Sequence, residues 1–363
     1  MQLLDQIIIT CLEKIKTERS IQAIYYILIG KKSIQTVQDA HIFKIGSFYG
    51  IYKTLGRDAF DERILQLKKQ NVIKPHVENT IQLTEKGLNI VHQQKDDSFF
   101  QHINGLRYSD MEVAFSERLL LVIQTVTNSK MGYYSFIPII DRSTITTWVR
   151  QFFYVHKDNQ DKVLLALYHE LRQLLKGISD LHASIFVDRL TGYQNYGQSI
   201  QQLCYQYNLH EHDIQLRLTA THHYMLHEVL NLQSQYPLLT NFVNDLTTNR
   251  FITNSAKKTN QLLHQHYSLK QIAAYRGLKL NTIYDHIVEI AIYDPSFPLH
   301  QYVDQSAYQE IIAAIKQANS FKLKQIKQLL RETTSYFQIR LVIATTTISL
   351  KSGENNESNS LFN

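Results

Sequence analysis

Glycine and proline are scarce in this chain, and their scarcity constrains the fold more than any other feature. Only 12 Gly and 5 Pro occur in 363 residues. Because these residues form many of the turns that separate strands, a many-stranded fold of this length would need more of them. Hydrophobic residues make up 44% and charged residues 19% of the chain, which is enough apolar content for packed cores. The sequence therefore predicts a globular, mainly α-helical protein.

The amino-terminal region, residues 1–96, has the pattern of a winged helix. Apolar residues recur at helical spacing in its opening stretch, and Ser33 and Asp58 are placed to cap a third and a fourth helix. Two short apolar runs, 72–73 and 81–83, then predict a small β-hairpin before one more helix. Helices followed by a small hairpin are typical of a winged-helix domain.

The rest of the chain predicts two further helical domains and a tail. Residues 97–250 carry apolar stripes at helical spacing and no charge signature, so we interpret them as a helical middle domain. Residues 251–347 have the pattern of several short helices. Residues 348–363 are polar and of low complexity, which predicts a disordered tail.

The sharpest local motif is a helix-turn-helix between Ser268 and Ile292. Ser268 and Gln271 have the spacing of a capping box, and Gly277 can supply the turn. The second helix is expected to present four polar side chains outward, namely Lys279, Asn281, Thr282 and Tyr284. Four basic residues surround them: Lys257, Lys258, Lys270 and Arg276. The motif predicts DNA binding, and the alternative is a protein-contacting face, because Asp285 and Glu289 lie on the same helix and phosphates repel carboxylates.

A second basic run follows the motif and contains no acid. Its members are Lys316, Lys322, Lys324, Lys327 and Arg331. The spacing of the last three places them on one face of a helix, which would suit contacts to successive phosphates. An ordinary solvated helix surface is the alternative.

The charge balance and the cysteines favour an intracellular protein with a polyanionic partner. The net charge is +6 and the isoelectric point is near 9.0. Cys11 and Cys204 lie far apart and match no metal-ligand spacing, which predicts neither a disulfide framework nor a cysteine-rich zinc site. No stretch approaches the ~18 apolar residues of a membrane span. We expect a cytoplasmic protein.

The sequence predicts no enzyme activity, no cofactor and no metal. The segment 30–33, Gly-Lys-Lys-Ser, lacks the earlier glycine of a phosphate-binding loop, and Gln198 stands where a second glycine motif needs lysine. His223 and His227 lie one helical turn apart without the glutamate of a zinc protease.

Three sets of motifs resemble known families. Residues 30–33, Phe48-Tyr49-Gly50-Ile51-Tyr52-Lys53 and Leu83-Thr84-Glu85-Lys86-Gly87 resemble the winged-helix (RQC) domain of RecQ-type helicases, with Tyr52 in place of an expected glycine. Residues 268–273 and 282–286 resemble a helix-turn-helix at the carboxyl end of certain RecQ helicases. The whole chain, including Gln38-Asp39-Ala40-His41, is similar to the YpbB family of Gram-positive bacteria.

The resemblance implies the DNA-binding parts of a RecQ helicase without the motor, working beside a short RecQ paralogue. In the amino-terminal domain we accordingly predict DNA contacts by Lys31, Lys32, Lys53 and Arg57. The hairpin between Ile73 and Leu83 would act as a wedge at a DNA fork, with His76 stacking near its tip. A plain solvated turn is the alternative for this hairpin.

Two functions fit these observations. The first is a non-enzymatic, nucleoid-associated accessory protein that binds fork, junction or single-strand-containing DNA and partners a RecQ-like helicase in repair or recombination. The second is a helix-turn-helix transcriptional regulator, which would dimerise and prefer a palindromic site.

Overall fold

A computed structural model describes residues 1–77, 80–93, 98–249 and 252–346. Within these ranges the chain is mainly helical, and one two-stranded sheet accompanies the helices. The predicted fold class is confirmed. The tail predicted at 348–363 lies outside the described residues. None of the described helices has an apolar stretch of the length that a lipid bilayer requires.

The amino-terminal region contains the predicted helices and hairpin. Its elements are α1 (Leu3–Ile15), α2 (Ile21–Leu28), α3 (Ile34–Ile42), α4 (Arg57–Lys69), β1 (Ile73–Pro75), β2 (Ile81–Leu83) and α5 (Glu85–Gln93). The two strands are antiparallel, with Ile73 opposite Leu83. The Ser33 hydroxyl accepts a hydrogen bond from the backbone N–H of Thr36 and caps α3 as predicted.

Asp58 does not cap α4, and that prediction was wrong. The N-cap residue is Gly56, whose extended backbone makes no side-chain capping bond. Asp58 lies in the first turn, where its carboxylate still complements the positive end of the helix dipole. An acidic residue near a helix start fits either position, so sequence spacing alone does not distinguish them.

The middle region is a bundle with its own core. Its elements are α6 (Ser98–His102), α7 (Gly105–Lys130), α8 (Ser143–His156), α9 (Gln160–Leu175), α10 (Asp180–Asp188), α11 (Ile200–Tyr207), α12 (Glu211–Asn231) and α13 (Pro237–Thr240). Phe115, Phe186 and Phe242 are fully buried in this core. Arg118 pairs with Asp245 at 2.6 Å, which ties α7 to the segment after α13.

The carboxyl-terminal region contains the helix-turn-helix as its second and third helices. Its elements are α14 (Asn254–His264), α15 (Leu269–Arg276), α16 (Leu280–Tyr293), α17 (Gln305–Ala318), α18 (Leu323–Gln328) and α19 (Tyr336–Thr345). Ser268 and Gln271 form the predicted capping box, each side chain bonding the backbone N–H of the other. Gly277 adopts the left-handed conformation, with φ +62, that turns α15 into α16.

The amino- and carboxyl-terminal regions share one hydrophobic core, although they are far apart in sequence. Helix α3 packs against α16 and α19. The rings of Phe43 and Phe321 meet edge to face with centroids 6.0 Å apart. The Gln38 amide donates to the carbonyl of Arg340 at 3.2 Å. These contacts hold the winged helix and the helix-turn-helix in one fixed relation.

Helix α12 of the middle region also joins the amino-terminal region. The Asp213 carboxylate accepts from the backbone N–H of Leu3 at 2.6 Å. The Tyr52 hydroxyl, at the position where a glycine is expected from the resemblance, lies 2.8 Å from Nδ1 of His212. Tyr52 is therefore a buried contact between two regions.

Candidate nucleic-acid interface

The outer face of the helix-turn-helix is formed by α15 and by the first turn of α16. Lys270 and Tyr275 are exposed on α15, and Lys279 and Asn281 are exposed where α16 begins. Thr282 is half-buried in the same turn. The amino-terminal end of a helix favours anions, because its backbone N–H groups are unpaired and the dipole is positive there. This face can bind phosphate groups.

Beyond its first turn, α16 is covered. Ile283, Ile287 and Ile290 point into the shared core. The Tyr284 ring stacks on Phe337 of α19, with centroids 4.2 Å apart and planes 17° apart. The expectation that Tyr284 points outward was wrong, because α19 occupies that side of the helix.

The acidic residues of α16 are engaged within the chain. Asp285 pairs with Arg340 of α19 at 2.7 Å. The Glu289 carboxylate accepts from the backbone N–H and the hydroxyl of Thr253 just before α14, and burial raises the pKa of Glu289. Both carboxylates therefore have partners within the chain. Their presence on α16 does not by itself indicate a protein-contacting face, which was the alternative interpretation of this helix.

Arg276 joins α14 to α15. Its guanidinium donates to the carbonyl of Ser255 at 2.7 Å and to the Ser255 hydroxyl at 2.9 Å. It also donates to the hydroxyl of Thr259, which is fully buried beside His286. Arg276 was predicted to bind DNA. Its N–H donors instead bond α14 and hold that helix to α15.

The remaining basic residues near the motif differ in exposure. Lys258 is exposed on α14, and Lys257 is half-buried on the same helix. Lys258, Lys270 and Lys279 form no ion pair with any residue in the described ranges. We call these three side chains the lysine face.

The second basic run does not line one helical face. Helix α18 ends at Gln328, before Arg331. The Lys327 ammonium donates to three carbonyls in the following turn, at 2.6 to 3.0 Å. Arg331 pairs with Glu310 of α17 at 2.7 Å. Lys316 and Lys324 are exposed and Lys322 is half-buried. The prediction of one basic helical face was wrong, because α18 ends before it reaches Arg331.

The predicted residues of the winged helix also differ in exposure and in contacts. Lys31 lies over the ring of Tyr26 at 3.6 Å, and exposed Lys32 pairs with exposed Asp110 at 3.2 Å. The Lys53 ammonium donates to the carbonyl of Ser109, and desolvation lowers its pKa.

Arg57 pairs with Asp61 one helical turn away at 2.7 Å. The charge of Arg57 is therefore partly neutralised within α4. Lys31, Lys32 and Lys53 are exposed, although the Lys53 ammonium is bonded to α7 of the middle region, and half-buried Arg57 is paired within its own helix.

His76 is exposed on the hairpin, and sequence reasoning missed a group of exposed lysines on the hairpin and on the helices next to it. The backbone N–H of His76 donates to the carbonyl of Thr80 at 2.9 Å, which closes the hairpin. Residues 78–79 lie outside the described residues. The missed lysines are exposed at the end of α4, on β1 and at the start of α5: Lys68, Lys69, Lys74 and Lys86. Lys86 donates to the carbonyl of Gln70, which brings α5 to the end of α4.

The histidines of α12 are occupied by neighbouring side chains and backbone. His222 pairs with Glu112 of α7 at 2.6 Å. Nδ1 of His223 lies 3.2 Å from the backbone N–H of Asn104, and burial lowers the pKa of His223 to about 4. In the part of the chain that the structure describes, no group of three potential ligands is placed to hold a metal ion.

Comparison with known proteins identifies the same module. Residues 255–343 match a family model described as a helix-turn-helix domain. The chain is 30% identical over 341 residues to "Protein YpbB" of Bacillus subtilis (strain 168), an alignment that covers 93% of this chain and 96% of that protein. No solved structure matches the chain significantly.

Proposed function

The chain belongs to the YpbB family, and from that premise we propose that it is a non-catalytic DNA-binding protein that assists a RecQ-like helicase. One observation carries the DNA-binding part of this proposal. The matched helix-turn-helix domain presents the lysine face to solvent with no described acid to neutralise it. Phosphate contacts by such lysines dominate the affinity of proteins for DNA.

The arrangement of the two modules supports a forked or junction-containing DNA partner. The winged helix and the helix-turn-helix share a core, so their exposed lysines are held in a fixed geometry. A rigid pair of modules fixes the angle between the two DNA segments that it contacts, and both modules bind at once only to DNA of matching geometry. We therefore infer that DNA containing a fork, a junction or a single strand binds more tightly than a plain duplex.

The first turn of α16 keeps transcriptional regulation as the second candidate function. A helix-turn-helix regulator reads bases with the N-terminal residues of its second helix, which lies in the major groove. Lys279 and Asn281 are exposed at that end of α16, and the rest of the helix packs against α3 and α19. A regulator would dimerise and prefer a palindromic site, whereas a helicase accessory protein would bind forked DNA with little sequence preference.

DNA binding is tested with two double variants of equal charge change. Lys270→Glu with Lys279→Glu alters the lysine face, and Lys162→Glu with Lys176→Glu alters two exposed lysines of the middle region. Each lost phosphate contact lowers the slope of log affinity against log salt by about 0.9 for duplex DNA. We expect the first variant to lose about 1.8 from the slope and the second to keep the wild-type slope. Equal slopes in both variants would exclude the lysine face as the DNA site.

The helicase part of the proposal is tested separately. The purified protein is added to a RecQ-like helicase of the same organism, and unwinding of a forked duplex is measured with and without it. We expect faster unwinding with the protein present and no ATP hydrolysis by the protein alone. An unchanged unwinding rate would contradict the proposed helicase role, and the proposal of DNA binding would stand.

The wedge function of the hairpin is tested in the same assay. His76 has an exposed ring, and stacking of a ring on a base contributes roughly 1 to 3 kcal/mol. His76→Ala is therefore expected to slow unwinding while leaving the affinity for the fork nearly unchanged. Equal unwinding rates for His76→Ala and the wild type would contradict the wedge function and favour the alternative, a plain solvated turn.

A further inference from the structure

Two exposed tyrosines lie on α15 and just before it, in the helix-turn-helix that carries Lys270 and Lys279. Tyr275, on α15, is 73% exposed, and Tyr267, just before the same helix, is 40% exposed. Their ring centroids are 6.2 Å apart, with planes inclined by 48°. Neither hydroxyl forms a hydrogen bond to a residue in the described ranges. Both rings therefore present a face to solvent without a hydrogen bond from their hydroxyls to hold them to the described part of the protein.

The charged residues nearest to the pair in the chain are all basic. Lys270 lies between the two tyrosines in the chain, and Lys279 follows at the start of α16. Besides Lys270 and Tyr275, the side chains exposed on α15 are uncharged, namely Gln271 and Ala274. Exposed rings beside lysines are the combination that binds single-stranded nucleic acid, in which the rings stack on bases and the lysines contact phosphates.

We propose that Tyr267 and Tyr275 form a stacking platform for unpaired bases, so that the helix-turn-helix binds single-stranded DNA. This inference rests on the proposed DNA-binding function and names the substrate class of that site. Bases inside a duplex are stacked on one another and cannot reach rings on the outer surface of a helix. Unpaired bases can turn outward onto the rings while Lys270 and Lys279 hold the neighbouring phosphates.

The same geometry explains how a helix-turn-helix can bind DNA without placing its second helix in a groove. Stacking on rings requires no groove and discriminates little between sequences. The exposed rings of Tyr267 and Tyr275 would therefore bind the strand at the outer surface of α15. A strand bound here would belong to the unpaired arm of a fork.

The experiment compares DNA with and without bases on the full chain. The probes are a fluorescein-labelled oligothymidylate of about 15 nucleotides, near the upper site size of single-strand-binding folds, and an abasic strand of the same length. Binding is followed by fluorescence anisotropy for the wild type, Tyr275→Ala and Tyr275→Phe. Tyr196→Ala is the matched control, because Tyr196 is 87% exposed on the middle region.

We expect Tyr275→Ala to bind oligothymidylate roughly tenfold more weakly, which corresponds to about 1.4 kcal/mol of lost stacking. Tyr275→Phe keeps the ring and should bind like the wild type. All variants should bind the abasic strand equally.

Three outcomes would overturn the inference. If Tyr275→Ala weakens both probes equally, the ring does not stack on bases. If Tyr275→Ala and Tyr196→Ala bind oligothymidylate as the wild type does, the platform lies elsewhere or the tyrosines contact a protein. If the wild type binds duplex DNA and neither single strand, the inference fails and DNA binding stands, whereas no binding to any DNA refutes the proposed function as well.

Discussion

Arg276 shows how one side chain can look like a DNA contact and serve a different purpose. Its guanidinium bonds Ser255 and the buried hydroxyl of Thr259, so replacing it removes three hydrogen bonds from a charged donor and leaves His286 as the remaining partner of the Thr259 hydroxyl. A hydrogen bond to a charged group contributes about 1.5 to 3 kcal/mol. We predict that Arg276→Met lowers the free energy of unfolding by about that amount, as measured by denaturant unfolding. Lys279→Met is the control, because an exposed side chain without such bonds should change stability by less than about 0.5 kcal/mol.

His223 makes the stability of the protein depend on pH. Burial lowers its pKa to about 4, whereas the unfolded chain binds a proton near pH 6.5. Between these values the unfolded state holds one proton more than the native state, so the free energy of unfolding falls as the pH falls from 6.5 to 4. The difference between a pKa of 6.5 and a pKa of about 4 corresponds to about 3 kcal/mol of unfolding free energy, which is lost when the pH falls below 4.

The His223→Asn variant separates this titration from packing. The asparagine oxygen can still accept from the backbone N–H of Asn104, which now lies 3.2 Å from Nδ1 of His223, but it does not titrate. We predict that the variant unfolds with a pH slope that is shallower by up to about 1.4 kcal/mol per pH unit between pH 4 and 6.5. A slope equal to that of the wild type would place the titration in other histidines, such as His286.

At the scale of elements, Gly277 sets the turn of the helix-turn-helix. Its φ is +62, and a Cβ added there would meet nothing within 4 Å. Any cost of substitution therefore comes from the backbone conformation alone. We predict that Gly277→Ala destabilises the protein by about 1 kcal/mol and that Gly277→Asn costs less, because asparagine tolerates the left-handed region. Thermal unfolding of the two variants measures the difference, and equal losses would show that the conformation is not the cause.

Local signals in the sequence predicted the elements well. The capping box at Ser268, the cap at Ser33 and the turn at Gly277 depend on residues within a few positions of one another. The same local rules do not report which face of a helix another helix covers. Tyr284 has the spacing of an outward residue, and only the packing of α19 shows that its ring stacks on Phe337.

The basic run near α18 shows the second limit of local reasoning. Lys324, Lys327 and Arg331 would share a face only if one helix continued through all three. The helix ends at Gln328, and the chain turns where the Lys327 ammonium donates to three backbone carbonyls. The periodicity of the basic residues predicted one basic helical face. That face does not form because the helix ends before Arg331, and helix boundaries are the feature that sequence patterns define least sharply.

At the scale of the whole molecule, the regions at the two ends of the chain form one unit. Sequence segmentation predicted separate domains at 1–96 and 251–347, because composition and linkers contain no information on contacts between distant segments. The structure places Phe43 of the first against Phe321 of the second, and the Glu18 carboxylate accepts from the backbone N–H of Phe321 at 2.9 Å. The middle region keeps a core of its own around Phe115.

This shared core predicts that one substitution loosens both ends of the chain. Phe43 is 6% exposed, and removing a buried phenylalanine ring costs about 3 to 5 kcal/mol. We predict that Phe43→Ala increases amide hydrogen exchange in α3 and also in α16 and α19, more than 230 residues away in the chain, since exchange reports the stability of a cooperative unit. The peptides of α7 around Phe115 should exchange as in the wild type, because their core is separate. Faster exchange in α3 with unchanged protection of α16 and α19 would show that the two modules fold independently, and the rigid arrangement inferred for binding forked DNA would lose its basis.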